Sequence, residues 1–208
     1  MFDAIFFDLD GTLVDTESIA LTAGLRAFAE VGHPVDAAFM HSLVGKAQPQ
    51  AAEIILAAMP AIDLAAFDQA WRIGFDAGMA DGLPLKAGAA ELLEMLVHPL
   101  AIVTSTGRVG AHHKLGLVGL THHFRAIITL DDVTAPKPAP DPYLLAARTL
   151  GVDPTRCLVF EDSDVGAEAG HRAGCTVIQV PDIAPTQGRF ARHLAADLLT
   201  GARLVGLI

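Results

Sequence analysis

The segment "FFDLDGTLVDT", residues 6–16, poses the question that decides the fold of this chain. Its first residues, Phe6 and Phe7, are typical of a buried strand, yet the strand ends in two carboxylates, Asp8 and Asp10, followed directly by Gly-Thr. A buried charge is costly unless it is paired or bound to a metal ion. The segment therefore predicts that the two aspartates have either a structural partner or a chemical role.

The composition is that of a folded protein with a substantial core. Of the 208 residues, 52% are hydrophobic and 18% are charged, which excludes disorder and suits one large domain or one domain with a modest insertion. The formal charge of -10 disfavours nucleic acid and anionic membrane surfaces as partners. No apolar run reaches the roughly 18 residues that a membrane span requires. Cys157 and Cys175 have neither disulfide nor zinc spacing, so we expect reduced thiols in a cytoplasmic protein, and we expect a monomer.

Five short apolar runs predict the strands of a sheet. None of them alternates apolar with polar residues, which is typical of parallel strands covered on both faces. Helix-like stretches separate the runs, and this alternation predicts an α/β fold with a doubly wound parallel sheet. The C-terminal stretch, residues 190–208, is interpreted as a closing helix and tail. The five runs are AIFF (4–7), LAIVT (100–104), AIITL (126–130), CLVF (157–160) and TVIQV (176–180).

One long interval interrupts the alternation of strands and helices. It separates the first two apolar runs by more than 80 residues and contains no convincing strand. Since a simple crossover needs far fewer residues, we interpret residues 16–84 as a helical insertion. Residues 1–15 and 85–208 then form the domain that carries the sheet. Helical periodicity is found at residues 18–32, 50–59 and 64–79.

Polar side chains follow four of the five apolar runs. In an open parallel sheet, ligands bind beyond the carboxyl ends of the strands, near the point where the strand order reverses. We therefore expect these side chains to meet at one edge. They are Asp8, Asp10 and Thr12, with Gly11 between the last two, after the first run, Thr104, Ser105 and Thr106 after the second, Lys137 beyond the third, and Glu161, Asp162 and Ser163 after the fourth.

The four carboxylates at this edge predict a divalent metal site. Asp8 and Asp10 are two residues apart on extended backbone and point to the same side, where Glu161 and Asp162 would join them. Such a set repels itself unless a cation lies among it, and all-oxygen ligands favour Mg²⁺ over Zn²⁺. Mg²⁺ commonly shares its coordination shell with a phosphate, which a lysine and a hydroxyl would also bind.

Four motifs, in this order, closely resemble those of the haloacid dehalogenase superfamily: DLDGTLVDT (8–16), VTST (103–106), KPAPDPY (137–143) and EDSDVG (161–166). The resemblance covers nearly the whole chain and is strongest for β-phosphoglucomutase-like proteins and small sugar-phosphate phosphatases. It implies that the insertion at residues 16–84 is a helical cap domain. It also implies a phosphatase that acts on a small phosphorylated metabolite, such as a sugar or polyol phosphate, with Mg²⁺ as the cofactor.

Carried over to this sequence, the resemblance assigns a role to each motif residue. It makes Asp8 the nucleophile that forms an aspartyl-phosphate, and Asp10 the general acid/base whose main-chain carbonyl also binds the metal. The implied phosphate-binding residues are Leu9, Gly11, Thr104, Ser105 and Lys137, and Lys46, in a cap loop, is an implied substrate contact. The implied metal ligands are Asp8, Asp10, Glu161 and Asp162.

Other activities share parts of this pattern. A β-phosphoglucomutase-type mutase would have the same core residues, but mutases of this type carry a histidine where this chain has Ala20. This difference favours hydrolysis and leaves the mutase as the alternative. A haloacid dehalogenase needs neither the second aspartate nor a metal, so Asp10 and the EDS sequence argue against it. An inactive binding module would have lost one of the functional groups, and none is missing.

Two further features have structural interpretations. The motif GAEAGHRAG (166–174), with a glycine at every fourth residue, predicts a helix face of small residues that packs tightly on the sheet. The pairs His112-His113 and His122-His123 predict solvated or loop histidines and not a metal site, because adjacent residues point apart on a helix.

Overall fold

The computed structural model describes residues 2–43, 48–183 and 186–208, and the chain forms two compact units. The first unit comprises Met1–Asp15 and Pro84–Ile208, and the second comprises the residues between them. The chain leaves the first unit after its first strand and returns to it ahead of the second strand. The second unit is therefore an insertion in the first.

The first unit is built on a parallel sheet, which confirms the predicted α/β fold. Within the described residues its strands are β1 (Ala4–Phe7), β2 (Leu100–Val103), β3 (Ala126–Ile128), β4 (Cys157–Glu161), β5 (Thr176–Gln179) and β6 (His193–Leu194). Their order in the sheet is β3-β2-β1-β4-β5-β6, and every neighbouring pair is parallel. The order reverses at β1, which lies between β2 and β4.

Helices pack on both faces of this sheet. Successive strand residues point to opposite faces, so the unbroken apolar strands present apolar side chains on both sides that the helices cover. Helices α5 (Ala89–Met95), α6 (Arg108–Leu117), α7 (Asp141–Leu150), α8 (Asp164–Arg172) and α9 (Leu198–Leu204) belong to this unit. Phe6 stacks on Tyr143 of α7, with ring centroids 6.3 Å apart. Phe7 points the other way and stacks on Phe160 at 5.1 Å, and Gly201 of α9 lies against Phe160. The sheet is thus buried on both sides.

Two stretches of the first unit differ from the sequence-based expectation. β3 ends at Ile128, and the chain continues into a 3₁₀ turn because the Asp132 carboxylate accepts hydrogen bonds from the amide and hydroxyl of Thr129 (2.8 and 2.6 Å). The C-terminal stretch expected to form only a helix and tail also contains β6, ahead of α9. A two-residue strand carries no apolar pattern, so its pairing with β5 alone defines it.

The second unit is helical and has its own hydrophobic core. Within the described residues its helices are α1 (Thr16–Glu30), α2 (Ala37–Leu43), α3 (Gln48–Ala58) and α4 (Leu64–Asp81). α1 and α4 pack closely, because Gly74 of α4 leaves room for Ala23 of α1. The core contains the rings of Phe28 and Phe67, whose centroids are 4.2 Å apart. Among the helices of the described ranges, none combines the length and apolarity needed to cross a bilayer.

Candidate active site

The carboxylate of Asp8 lies at the carboxyl edge of the sheet, directly after β1. The Asp8 amide donates a hydrogen bond to the carbonyl of Phe160 in β4 (3.0 Å), which extends the strand pairing by one residue. Only 7% of Asp8 is exposed. Because β2 and β4 flank β1, residues that follow these three strands are brought together here.

Lys137 supplies a positive charge at this edge. Its ammonium lies 2.7 Å from Oδ1 of Asp8 and 2.5 Å from Oε1 of Glu161, and it donates to the carbonyl of Val103 at 2.8 Å. The Lys137 side chain is 3% exposed. An ammonium has three donors, so all three have partners and the group is held in one place.

Glu161 is fixed by a second set of contacts. The hydroxyl of Tyr143 donates to Oε1 at 2.9 Å, and the hydroxyl of Ser163 donates to Oε2 at 3.1 Å. Gly166 makes this arrangement possible, because a Cβ atom there would lie 1.7 Å from Oε1. Gly170, one turn later on α8, lies against valine side chains of the sheet. The small-residue face of α8 therefore packs on the sheet at one glycine and accommodates a carboxylate at the other.

Burial and the crowding of carboxylates shift the pKa values at this edge. Burial is the largest cause, and together with Glu161 it outweighs Lys137 and raises the pKa of Asp8 to about 8. Burial also raises the pKa of Asp162 to about 9, with Glu161 and Asp8 adding to the effect. Burial opposes the charge of Lys137, but the carboxylates it contacts outweigh burial, so its pKa lies above the ordinary value. One ammonium therefore does not neutralise this cluster.

Three of the four predicted metal ligands form a compact oxygen cluster. One carboxylate oxygen each of Asp8, Glu161 and Asp162 lies within 4.8 Å of the other two. Across the space left by Gly11, Asp182 presents a buried oxygen, Oδ2, with no hydrogen-bond partner among the described residues. A buried acceptor needs a donor, and water in the shell of a hydrated cation provides one. The donor set fits a hard divalent cation.

The turn after β1 allows close approach to this cluster. Gly11 has φ of 81°, in the left-handed region that favours glycine. A Cβ atom there would lie 2.5 Å from Oδ2 of Asp162. The carbonyl of Leu9 accepts hydrogen bonds from the amides of Leu13 and Val14 (2.9 and 3.1 Å), so the chain doubles back immediately. Both predicted residues of this turn, Leu9 and Gly11, thus lie beside the acidic cluster.

The remaining predicted phosphate-binding residues differ in their positions. Thr104 follows β2 and is buried, and its hydroxyl accepts a hydrogen bond from the amide of Thr106 (3.0 Å). Ser105 lies between them and is exposed. Lys46, the expected substrate contact in the helical insertion, lies outside the described residues.

The partners of Asp10 include two residues that follow β2, Thr106 and Lys114. The hydroxyl of Thr106 donates to Oδ2 of Asp10 at 2.5 Å, and the ammonium of Lys114 lies 2.5 Å from Oδ1. Lys114 belongs to α6, and it reaches Asp10 because helical side chains lean toward the helix N-terminus. Sequence reasoning missed Lys114, since no motif marks it. It also missed Tyr143, although Tyr143 closes the KPAPDPY motif and its aromatic ring is fully buried.

Comparison with known proteins agrees with this geometry. A family model described as haloacid dehalogenase-like hydrolase matches residues 5–180, a range that contains all four motifs. The chain belongs to this family.

Relatives of the hydrolase include named phosphatases. Fructose-1-phosphate phosphatase YqaB of Escherichia coli (strain K12) is 32% identical over 181 residues, which cover 86% of this chain and 96% of that protein. Hexitol phosphatase A of the same organism is 36% identical over 184 residues, covering 84% and 81%. A solved structure from Thermotoga maritima, named for β-phosphoglucomutase, matches with a TM-score of 0.84 at 27% identity, over 99% of both chains. We therefore assign the hydrolase to the phosphatases.

The helical unit of the hydrolase contains a cavity of about 480 Å³. Its walls are mostly apolar and include Met40, Phe67 and Trp71, with the carboxylate residue Asp68 among them. Ala20 lines the same cavity, and its carbonyl accepts a hydrogen bond from the Trp71 indole (3.3 Å). The side chain at position 20 therefore offers no group that could exchange a proton.

Proposed function

We propose that this hydrolase is a Mg²⁺-dependent phosphatase that hydrolyses a sugar or polyol phosphate through an aspartyl-phosphate at Asp8. The observation that carries the proposal is the contact between the buried Asp8 carboxylate and the Lys137 ammonium (2.7 Å), beside the oxygens of Glu161 and Asp162. A rigid carboxylate next to a fixed cation and a set of hard oxygen ligands suits in-line phosphoryl transfer.

The reaction has two steps. In the first, a carboxylate oxygen of Asp8 attacks phosphorus, the bond between phosphorus and the ester oxygen breaks, and Asp10 gives a proton to the departing alcohol. In the second, water attacks the phosphorus of the aspartyl-phosphate while Asp10 takes a proton from that water. Inorganic phosphate leaves, and Asp8 returns to its carboxylate form.

The chain's own residues hold the transferring group. Lys137 carries a fixed positive charge for the phosphoryl oxygens, and Thr104 offers a hydroxyl beside it. Gly11 keeps the turn after β1 free of a side chain, so that backbone can pass close to the phosphate. Mg²⁺, held by Asp8, Glu161, Asp162 and the main-chain carbonyl of Asp10, would offset the charge of the carboxylates and of the phosphoryl group. Tyr143 keeps Glu161 oriented for this role.

The proposed substrate class rests on the relatives and on the helical unit. Two relatives are named for phosphorylated carbohydrate or hexitol substrates, and both match most of this chain. We propose that residues 16–84 act as a cap that admits the substrate and excludes water during transfer. Lys46 is proposed to contact the substrate from this cap. We further propose that the enzyme acts as a cytoplasmic monomer.

A phosphosugar mutase is the second candidate, favoured by the structural similarity to the protein named for β-phosphoglucomutase. A mutase must return the phosphoryl group from Asp8 to a sugar hydroxyl, and the resemblance implies a histidine at position 20 for this purpose. Ala20 occupies that position and lines an apolar cavity. This observation supports the proposal of hydrolysis over phosphoryl return.

The test is a screen of phosphorylated metabolites with Mg²⁺ present and phosphate release as the readout. The wild-type enzyme should release phosphate from sugar or polyol phosphates, and excess EDTA should stop turnover reversibly. Asp8→Asn should lower turnover by a factor of at least about 10⁴, whereas Asp141→Asn, an exposed aspartate of the KPAPDPY motif, should stay within about twofold of wild type. Turnover retained by Asp8→Asn would refute the nucleophile assignment.

Two further measurements separate the reaction types. Mass spectrometry of rapidly quenched enzyme should find a phosphate on the peptide that carries Asp8, and on no other peptide. β-Glucose 1-phosphate with a bisphosphate activator should give free phosphate and not an isomerised sugar phosphate. Isomerisation faster than phosphate release would establish the mutase instead.

A further inference from the structure

A second group of potential metal ligands lies at the opposite edge of the sheet from Asp8. Glu94 belongs to α5, which leads into β2, whereas His122 and His123 form the 3₁₀ turn that leads into β3. The group therefore lies near the amino ends of these two strands. One ligand atom from each of the three residues lies within 4.8 Å of the other two. The sequence-based expectation is of solvated or loop histidines that point apart; His122 is exposed and both residues lie in a 3₁₀ turn, but their ring centroids are only 4.1 Å apart.

The hydrogen bonds of this group leave its lone pairs available. Nδ1 of His122 lies 2.9 Å from the carbonyl of Gly119, and a carbonyl only accepts, so Nδ1 carries a proton; in the neutral imidazole, Nε2 then keeps its lone pair. Such a bond to the backbone orients many metal-binding histidines. Nε2 of His123 lies 3.6 Å from Oε1 of Glu94, too far for a direct hydrogen bond. Ligand atoms around a tetrahedral Zn²⁺ are roughly 3.3 Å apart, given the usual bond lengths.

We propose that Glu94, His122 and His123 bind a borderline divalent ion, Zn²⁺ above all, independently of the catalytic edge. Two imidazoles and one carboxylate form a common three-residue donor set for zinc and leave a fourth position for water. Mg²⁺ is not expected to compete, because it prefers oxygen ligands. Bound Zn²⁺ joins α5 to the turn before β3 and stabilises the folded chain by mass action.

The test is calorimetric titration of the full chain with Zn²⁺ in a large excess of Mg²⁺. His122→Ala and Glu94→Gln should each bind one equivalent of Zn²⁺ fewer than wild type, and any Zn²⁺ that enters the catalytic cluster cancels in this comparison. The matched control is the double variant His112→Ala/His113→Ala, which removes the exposed histidine pair of α6 and should bind as many equivalents as wild type. Equal stoichiometry and affinity in wild type and His122→Ala would overturn the proposal.

Thermal unfolding gives an independent readout that does not depend on activity. At a hundredfold excess over its Kd, Zn²⁺ should raise the wild-type Tm by on the order of 5 °C more than that of His122→Ala. The double control should match wild type. An identical Zn²⁺ response in His122→Ala and wild type would contradict a site on the folded chain.

A separate observation concerns the proposed proton-transfer group, Asp10. Each of its carboxylate oxygens has a donor at 2.5 Å, Lys114 on one side and Thr106 on the other. Lys114 also approaches the Thr106 hydroxyl at 3.4 Å, so the three groups form a closed triangle. The side chain of Asp10 is 25% exposed and that of Lys114 only 13%, so the lysine is the more deeply buried partner of the pair.

The geometry points to Lys114 as a positioning residue that orients Asp10 for proton transfer to the leaving alcohol; this inference rests on the proposed function. A carboxylate held at both oxygens has one orientation, whereas a partly exposed carboxylate that loses the donor at one oxygen is less restrained. Proton transfer depends on this orientation, because the donor must lie within hydrogen-bond reach of the leaving oxygen. Lys114 acts through Asp10 and needs no contact with the substrate.

The test compares leaving groups. A sugar phosphate expels a basic alkoxide that depends on the acid, whereas p-nitrophenyl phosphate expels a stable anion that does not. For kcat/KM, which reports the steps through phosphoryl transfer, Lys114→Met should lose about 10- to 100-fold on the best sugar phosphate of the screen and less than about threefold on the aryl ester. Lys114→Arg should recover most of the loss, and His113→Ala, the adjacent exposed residue of α6, should lose nothing.

Asp10→Asn provides the reference for this comparison. If Asp10→Asn shows the selective loss and Lys114→Met does not, the positioning role of Lys114 is overturned while the proposed function stands. If Asp10→Asn itself loses equally on both esters, the assignment of Asp10 as the acid fails. A selective loss in both variants supports both.

Discussion

Replacing Gly166 by alanine tests the link between α8 and the acidic cluster. A Cβ atom at this position would lie 1.7 Å from Oε1 and 2.2 Å from Oε2 of Glu161, distances that no relaxation of a few tenths of an ångström can accommodate. Glu161 is 1% exposed, and its carboxylate is held by Tyr143 and Lys137. The added methyl group must therefore displace the carboxylate from Tyr143 and Lys137.

The cost can be worked out from the contacts that would be lost. Tyr143 is fully buried, and leaving its hydroxyl without an acceptor costs about 1–3 kcal/mol. The charged hydrogen bond from Lys137 to Glu161 is worth about 1.5–3 kcal/mol. Alanine in a helix returns about 0.5–1 kcal/mol relative to glycine. The free energy of unfolding of Gly166→Ala should therefore be lower than that of wild type by roughly 2–5 kcal/mol, which corresponds to a Tm lower by roughly 5–15 °C.

The matched control is Gly116→Ala in α6, where a Cβ atom would meet nothing within 4 Å. The same substitution there should be neutral or stabilising by up to about 1 kcal/mol. Urea unfolding in EDTA measures both variants without metal, and a Mg²⁺ titration of Gly166→Ala should show weakened binding. If the unfolding free energies of the two variants agree within about 0.5 kcal/mol, the structural reasoning about Glu161 is refuted.

Three further predictions concern the charge, pH dependence and domain structure of the enzyme. Lys137→Met should abolish turnover and cost about 3–5 kcal/mol in EDTA, measured by urea unfolding, because it leaves buried carboxylates without their cation; a loss below 1 kcal/mol would contradict the ion-pair network. Burial raises the pKa of Asp8 to about 8 and of Asp162 to about 9, so protons compete with Mg²⁺ for these carboxylates. The affinity for Mg²⁺ should therefore rise from pH 6 to pH 9, and calorimetry should show that binding releases protons. A pH-independent affinity would refute this reasoning. Phe28→Ala should cost about 3–5 kcal/mol, and hydrogen exchange should locate the loss of protection in Thr16–Leu83 and not in the sheet; an even loss would contradict a separate core.

Much of the fold was predictable because it depends on local pattern. Unbroken apolar runs mark strands that are buried on both faces, and four of the five runs end in polar residues that the sheet collects at one edge. The third run was harder, because side-chain bonding between Thr129 and Asp132 ends the strand early. β6 was unpredictable, since two residues cannot carry a pattern and only the neighbouring strand defines them.

The contacts within the candidate site were less accessible to sequence reasoning. Lys137 and Asp8 are 129 positions apart, and only their motifs suggested a common site. Lys114 belongs to no motif, and its role depends on how α6 is oriented beside Asp10. Oδ2 of Asp182 lacks a hydrogen-bond partner among the described residues because of where it is buried, and burial cannot be deduced from the sequence.

The sequence by itself determined the family, the parallel sheet and the identity of the acidic residues at its edge. The apolar runs that form strands and the motif residues lie in short segments, and short segments can be interpreted without their neighbours. The order of the strands in the sheet depends instead on how they pair. Only the tertiary structure decided which carboxylates Lys137 contacts, why Gly166 must lack a side chain, and that Glu94 lies close to His122 and His123. These facts depend on distances between segments that the chain brings together only when it folds and buries its core.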